Sequence, residues 1–287
     1  MSGAAQVMDQ PRRLSPARRL LRDVPAMIAL VFLVLVVLAA LFAPWLTPYD
    51  PYATSMRVRL RPPSELHWLG NDTQGRDLLT RLLYGTRMTL LIGVTAVAIG
   101  GSLGALLGIL AAFYRRLDNP IMRLVDVLLS FPSILFGLAL AAVLGPGLVS
   151  LVAALSVAAV PTMARISRGA ATVVMQQDYI EAGRAIGLSD AALMWRYLLL
   201  NCFSTIMVYM TLQLGQAILL GAVLSFLGLG AQPPTAELGV IAAEGRNFIT
   251  RFPHVSTFPS LLIFMIVLAF NVLGDALRDA LDPRLRQ

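Results

Sequence analysis

The stretch from residue 26 to residue 43 reads AMIALVFLVLVVLAALFA and contains no ionisable side chain. As a helix rising about 1.5 Å per residue, it can cross roughly 30 Å of hydrocarbon with help from the flanking Trp45 at the interface. Five more uncharged runs follow it, at residues 88–114, 127–145, 147–164, 203–229 and 255–274. The sequence therefore predicts an all-α integral membrane protein with six transmembrane helices.

The composition excludes an ordinary soluble domain. Of the 287 residues, 57% are hydrophobic and 14% are charged, with a mean hydropathy of +0.73, whereas soluble domains have about 45–50% apolar and 25% charged residues. All 23 basic residues are arginine, and they lie between the apolar runs rather than on one basic face, so no nucleic-acid partner is expected. Because it has no lysine, the chain cannot form a P-loop for ATP.

Two short motifs are expected to bend the chain inside the apolar runs. Gly145-Pro146-Gly147 divides residues 127–164, where a tight hairpin is favoured over one bent helix because an unbroken helix would be nearly twice as long as needed. Phe131-Pro132 lies within the third run, and a kink at the entrance of the span is favoured there over a gating role.

The distribution of arginines predicts an orientation. With the amino terminus inside, the inner segments hold fifteen arginines and the outer segments hold eight, so both termini are expected in the cytoplasm. The first outer loop fits this rule poorly because it alone contains Arg57, Arg59, Arg61, Arg76, Arg81 and Arg87.

The end of that loop is expected to form a helix along the membrane surface, leading into the second run. Residues 71–73 are available as its cap. The predicted apolar face comprises Leu78, Leu79, Leu82 and Leu83, and the predicted polar side comprises Asp77, Thr80 and Arg81.

Small and amide side chains mark two further features of the apolar runs. Gly100, Gly104 and Gly108 share one helical face, which favours close packing of a neighbouring helix over a pore-lining role. The later runs contain the amides Gln213, Gln216 and Asn271, which either bond neighbouring helices or line a translocation pathway.

The connection between the fourth and fifth runs contains DYIEAGRAIGLSD at residues 178–190. Gly187 suits the left-handed residue that ends one short helix, and Ser189 can cap a second helix that begins at Asp190. A solvated amphipathic helix and a contact site for a partner are equally compatible with these residues.

Glu181 and Ala182 followed by Gly187 resemble the EAA loop of binding-protein-dependent ABC importer permeases, where the loop docks into a groove on the ATPase subunit. Gly183 replaces the usual second alanine, and Leu200 stands where that family usually has proline, so the following helix is expected to be straighter. The resemblance implies a docking loop composed of Glu181, Ala182, Arg184, Ala185, Ile186, Gly187 and Leu188.

Longer stretches, covering about residues 25–286, resemble the permeases for dipeptides, oligopeptides and nickel, in the subunit with an extra amino-terminal membrane segment. The matching motifs are HWLGNDTQGRD at 67–77, YGTR at 84–87, Asp126 with FPS at 131–133, FLGLG at 226–230, QPP at 232–234, EGRN at 244–247 and GDALRDALDPR at 274–284.

This resemblance implies a type I ABC importer permease fold in the bacterial inner membrane. A cytoplasmic tail would cover 1–24, a span and outer loop 25–70, and the permease domain 71–287, with its core at about 86–275. The chain would form half of a pathway for peptides, or for glutathione or nickel complexes. Its implied partners are a second permease subunit, two ABC ATPase subunits, an extracytoplasmic substrate-binding protein and membrane lipid. ATP and magnesium would bind the ATPase subunits, and this chain would bind no cofactor.

No catalytic or metal site is expected, because His67 and His254 are the only histidines and Cys202 is the only cysteine. A self-sufficient secondary transporter or channel is the alternative function, and a membrane scaffold without transport is another. The secondary transporter is less favoured than the importer, since the sequence shows no clear inverted repeat and few ionisable residues within the apolar runs.

Overall fold

The computed structural model describes residues 20–281, and this part of the chain is helical. Four arginines of the tail (Arg12, Arg13, Arg18 and Arg19) and the last predicted motif residues from Asp282 onward lie outside the described residues. The helices are α1 (Val24–Leu41), α2 (Ala43–Leu46), α3 (Leu78–Phe113), α4 (Arg115–Ser130), α5 (Ser133–Leu144), α6 (Leu148–Met175), α7 (Asp178–Ala185), α8 (Asp190–Phe226), α9 (Leu238–Gly245) and α10 (His254–Leu281). Short 3₁₀ turns occur at Met56–Val58 and Arg246–Phe248, and α8 is π-helical over Leu193–Leu199.

Five helices in the described part of the chain are long and apolar enough to cross a membrane, namely α1, α3, α6, α8 and α10. They correspond to five of the six predicted runs, so the membrane-spanning, all-helical class is confirmed. A sixth span exists if α4 and α5 are counted together, although an angle of 89° separates these two helices.

The third run is where the predicted boundaries are wrong. Residues 127–145 do not form one helix, because Phe131 and Pro132 separate α4 from α5. With 12 residues, α5 extends only about 18 Å, which is shorter than the hydrocarbon core. The predicted kink at Phe131-Pro132 is thus a sharp bend that ends α4, since proline disfavours the helical conformation at the residue before it.

The predicted hairpin at Gly145-Pro146-Gly147 is confirmed. Helix α5 ends at Leu144, Gly145 adopts a φ of +81°, and α6 begins at Leu148 and packs against α5.

The helix predicted before the second run exists, but its predicted position along the membrane surface is wrong. Those residues are the first turns of α3, which continues without a break for 36 residues. Asp77 caps the helix by accepting a hydrogen bond from the Thr80 amide at 2.8 Å, so residues 71–73 are not the cap. Thr80 and Arg81 are fully buried rather than on a solvated face, because other parts of the outer loop and α9 cover them.

The closest helix pair is α3 with α6, and the glycine stripe lies at their contact. A Cβ atom added to Gly100 would be 2.2 Å from the Ser156 carbonyl oxygen, and one added to Gly104 would be 2.5 Å from the Val160 carbonyl oxygen. A Cβ atom added to Gly108 would be 2.3 Å from the Ala164 carbonyl oxygen. Backbone therefore packs directly on backbone along this seam.

The other spans assemble around this pair. Helix α8 packs against α3, α6 and α10, and α9 contacts α8, α10 and α3. Helix α1 lies against α10 and α3, where Ala29 and Leu33 join an apolar cluster with Leu78, Ile218 and Ile266.

A single methyl group on the seam should disturb the fold. Gly100→Ala places a Cβ against the Ser156 carbonyl, and we expect it to lower the free energy of unfolding by about 1–3 kcal/mol, the usual cost of overpacking. Gly169→Ala is the matched control, because Gly169 lies in α6 with nothing within 4 Å of an added Cβ. Comparison of unfolding midpoints in detergent tests this, and equal midpoints for the two variants would contradict the seam.

Candidate functional site

The segment 178–190, here called the corner, is a short helix and a sharp turn placed between two long spans. After α7, the amide of Gly187 donates to the Arg184 carbonyl at 3.0 Å and the amide of Leu188 donates to the Gly183 carbonyl at 3.0 Å. Gly187 has a φ of +79°, which is the left-handed conformation that ends a helix in this hydrogen-bond pattern. The predicted helix end at Gly187 is confirmed.

The prediction that Ser189 caps a second short helix is confirmed in part. Ser189 caps the next helix, its hydroxyl accepting a hydrogen bond from the Ala192 amide at 3.3 Å. This helix is not short, however, because it continues through Leu200 to Phe226. Leu200 retains its backbone N–H and lacks a ring, so the chain does not break there.

Apolar contacts fix the corner against the bundle. Ile180 is buried, and a Cβ on Gly183 would lie 2.9 Å from the Leu193 side chain, so the glycine allows α7 to approach α8 closely. The Arg184 guanidinium lies over the Phe113 ring at 5.8 Å, which ties the corner to the end of α3.

The residues predicted for ATPase docking share the solvent-facing side of the corner. Leu188 is half-buried and the other six are exposed: Glu181, Ala182, Arg184, Ala185, Ile186 and Gly187. Ile186 is 77% exposed, so this turn presents a large aliphatic side chain at the surface of the subunit. The surface is thus a small apolar tip flanked by one acidic and one basic side chain.

An open cavity of about 650 Å³ lies between α5, α6, α8 and α10. Its polar lining consists of Ser133, Thr162, Tyr209, Gln213, Gln216 and Asn271. None of the described residues that line it is an aspartate, glutamate, lysine, arginine or histidine.

The structure brings together the three amides that the sequence left unassigned. Gln213 donates to the Ala159 carbonyl at 3.3 Å, so this residue both bonds a neighbouring helix and faces the cavity. Gln216 and Asn271 face the same cavity from α8 and α10. Neither has a side-chain hydrogen bond to another described residue that would hold it away from this space.

A buried ionic cluster, which sequence reasoning missed, lies at the start of α3. It consists of Asp72, Arg76, Arg81 and Glu244. Asp72 Oδ2 accepts from Arg76 Nε at 2.6 Å and from Arg81 Nη1 at 2.5 Å. Glu244 Oε2 accepts from Arg76 Nη2 at 2.8 Å and also from Arg81 Nη1. Asp72 and both arginines are essentially inaccessible to solvent, and two positive and two negative groups leave the cluster neutral.

This cluster joins segments that are far apart in sequence. Asp72 and Arg76 belong to the outer loop, Arg81 to α3, and Glu244 to the end of α9. The available signal was the excess of arginine in the first outer loop, which the cluster explains for two of the six. Their partner Glu244 lies more than 160 positions away, where sequence spacing gives no indication of contact.

Comparisons with known proteins agree with this architecture. Residues 104–287 match the family described as binding-protein-dependent transport system inner membrane component, and residues 16–63 match the N-terminal TM domain of oligopeptide transport permease C.

Among curated relatives, a putative peptide transport system permease protein of Brucella abortus is 46% identical over 94% of this chain and 91% of its own length. A glutathione transport system permease protein of Escherichia coli O6:K15:H31 is 45% identical over 94% of this chain and 89% of its own length. A solved inward-facing structure of the MetNI methionine ABC transporter superposes with a TM-score of 0.59 at 22% identity, covering 70% of this chain and 96% of that chain. The last comparison bears on the fold alone.

Removing one arginine from the ionic cluster should destabilise the protein strongly. Arg81→Met leaves the buried Asp72 and the partly buried Glu244 with one cation between them, and we expect a cost of about 3–5 kcal/mol in unfolding free energy. The double variant Arg81→Met/Glu244→Gln restores neutrality and should lose less than the sum of the two single changes. Arg87→Met, at an exposed position on the same helix, is the control. Unfolding midpoints in detergent measure these differences, and additive losses would exclude the coupling.

Proposed function

Because the chain belongs to the family of inner membrane components of binding-protein-dependent transport systems, we propose that it forms half of a translocation pathway for peptides or related small solutes. The chain is a permease subunit of an ABC importer and a multi-pass protein of the inner membrane. Family membership also implies ATPase and substrate-binding partners. The proposed complex contains one further permease subunit and two ATPase subunits, with both termini of this chain in the cytoplasm.

The cavity is the observation that carries the pathway proposal. It is bounded by α5, α6, α8 and α10 and opens out of the subunit, as expected of a pathway completed by a second permease subunit. None of the described lining residues is an aspartate, glutamate, lysine, arginine or histidine, so hydrogen bonds and apolar contacts rather than an ionic contact would hold a substrate there.

The substrate class is proposed from the lining chemistry together with the relatives. Primary amides such as Gln216 and Asn271 both donate and accept hydrogen bonds, which matches the donor and acceptor of each peptide unit in a substrate. The two relatives described above are named as peptide and glutathione transport permeases, and both substrate types contain peptide bonds.

The corner is the proposed contact for an ATPase subunit. Its exposed Ile186 supplies an apolar anchor, and Glu181 and Arg184 beside it supply charges that can fix orientation. Two residues separate α6 from α7, and the turn after α7 leads directly into α8. Movement of the corner as a rigid unit therefore transmits to two helices that line the cavity.

In this mechanism the chain makes no chemical bond. ATP and magnesium bind to the ATPase subunits, which supply the free energy. This chain contributes the corner, which transmits the movement to α6 and α8, and half of the translocation pathway. Closure of the ATPase pair displaces the corner, tilts α6 and α8, and changes the access of the cavity.

Reversal of charge at the corner should prevent binding of the ATPase subunit. Glu181→Arg is expected to abolish co-purification of the ATPase subunit and uptake of labelled peptide, while the chain still inserts into the membrane. Glu65→Arg, an equal charge change at an exposed position in the outer loop, should leave co-purification of the ATPase subunit intact. Normal uptake by the Glu181 variant would refute the docking role, and ion-driven uptake by the purified chain alone would favour a secondary transporter.

The cavity amides should affect transport without affecting assembly. Since each hydrogen bond contributes about 0.5–1.5 kcal/mol, Gln216→Leu/Asn271→Leu should slow uptake of a labelled tripeptide or glutathione about tenfold. ATPase co-purification should be unchanged, and Gln74→Leu in the outer loop serves as the control. Uptake at the rate of the unmodified transporter would show that these amides do not contact the solute.

A further inference from the structure

Five arginines form an exposed basic surface at the end of the molecule opposite the corner, here called the outer arginine surface. They are Arg57, Arg59, Arg61, Arg246 and Arg251, and all are exposed. The first three belong to the loop between α2 and α3, and the last two follow α9. The 36 residues of α3 separate this loop from α4 by about 54 Å.

Contacts hold the two parts of this surface together. The Arg59 guanidinium lies over the Phe248 ring at 5.6 Å, which joins the loop to the 3₁₀ turn after α9. The Leu60 amide donates to the Asp72 carbonyl at 3.0 Å, and the Asn71 amide donates to the Arg61 carbonyl at 3.0 Å. The loop arginines are thus fixed next to the segment that carries Asp72 of the ionic cluster.

The same cluster fixes the second part. Glu244 lies two residues before Arg246 and binds both Arg76 and Arg81. One buried, neutral network therefore holds both arginine segments, and the exposed charges are arranged before any partner arrives. A surface ordered in advance loses less conformational entropy on binding.

The charges on this surface are not neutralised within the described part of the chain. No carboxylate oxygen of the described residues lies within 4.0 Å of any of these five arginines, in contrast to Arg76 and Arg81. Asp50 and Glu65 are the exposed acidic residues of the α2–α3 loop. The surface therefore carries a net positive charge, and in the proposed orientation it lies on the outer side of the membrane, where arginine is disfavoured.

We propose that the outer arginine surface docks an acidic face of the extracytoplasmic substrate-binding protein. This inference rests on the proposed function, which brings such a protein to this side of the membrane. Guanidinium groups bind carboxylates in a planar, bidentate geometry, and opposite charges across an interface raise the association rate and fix the orientation. An arrangement of exposed arginines from two separate segments suits a broad protein surface that must be released after each cycle, because exposed ion pairs are individually weak.

The experiment uses the whole transporter in nanodiscs of phosphatidylcholine, titrated with the binding protein that stimulates its ATP hydrolysis. The test variant is Arg57→Gln/Arg61→Gln/Arg251→Gln, which leaves the Arg59 contact with Phe248 intact. The matched control is Arg115→Gln/Arg116→Gln/Arg123→Gln, which removes three exposed arginines from α4. Co-purification of the ATPase subunits and the basal hydrolysis rate report correct folding of each variant.

The test variant should raise the half-maximal concentration of binding protein about tenfold at low salt, with the same maximal rate. Added salt should weaken binding to the unmodified transporter more than to the variant, because screening acts on exposed charges. The control variant should titrate like the unmodified transporter, and substitution of the same three positions by lysine should restore most of the affinity.

Three results would overturn the proposal. The first is a half-maximal concentration that the test variant leaves unchanged. The second is an effect of the variant that occurs only when the nanodiscs contain phosphatidylglycerol, because lipid headgroups would then be the ligand. The third is an unmodified transporter that no binding protein stimulates, in which case the proposed function fails and this inference fails with it.

Discussion

The packing of α3 directly on α6 positions the rest of the bundle. At Gly100, Gly104 and Gly108 the two backbones are too close for any side chain, and in a membrane such contacts supply the van der Waals packing that water-driven burial supplies elsewhere. The opposite face of α6, with Leu155, Ala159 and Thr162, lines the cavity. One helix is thus fixed along one side and forms a wall of the cavity along the other.

A second constraint acts outside the spans, where the chain must order a long outer loop without a large apolar core. Four ionised side chains perform this task, and their charges cancel. Burying an ion pair costs desolvation free energy, so such a cluster contributes little net stability, but removal of one member leaves an uncompensated charge. The cluster fixes which segments meet, because Asp72 and Glu244 each accept hydrogen bonds from both Arg76 and Arg81.

The apolar runs predicted five of the six spans as single helices, because the signal for a membrane helix lies in consecutive residues. The turn glycines Gly145 and Gly187 were predicted for the same reason, as were the cap at Ser189 and the close-packing face of α3. The turns and the cap depend on interactions within a few positions, and the close-packing face is visible because small residues recur at every fourth position of one helix. The docking role of the corner stays a prediction, because it concerns a surface that only a partner can test.

The errors have a common physical origin in contacts between distant residues. The face of α3 at Thr80 and Arg81 was predicted to meet water, since periodicity reports polarity but does not report what covers it. Glu244 covers part of that face from the other end of the sequence. The sharpness of the bend at Phe131-Pro132 was underestimated, because a proline in an apolar run marks a bend but does not give its angle. The shared cavity of Gln213, Gln216 and Asn271 likewise depends on how α8 and α10 pack.

The length of α8 has a mechanical consequence. Its 37 residues extend about 56 Å, nearly twice the thickness of the hydrocarbon core. A rotation of about 10° around the Phe226 end would therefore displace the Asp190 end by about 10 Å, while residues near Gln216 would move only a few ångströms. In the proposed mechanism, a large displacement of the corner would thus produce only a small change in the width of the cavity.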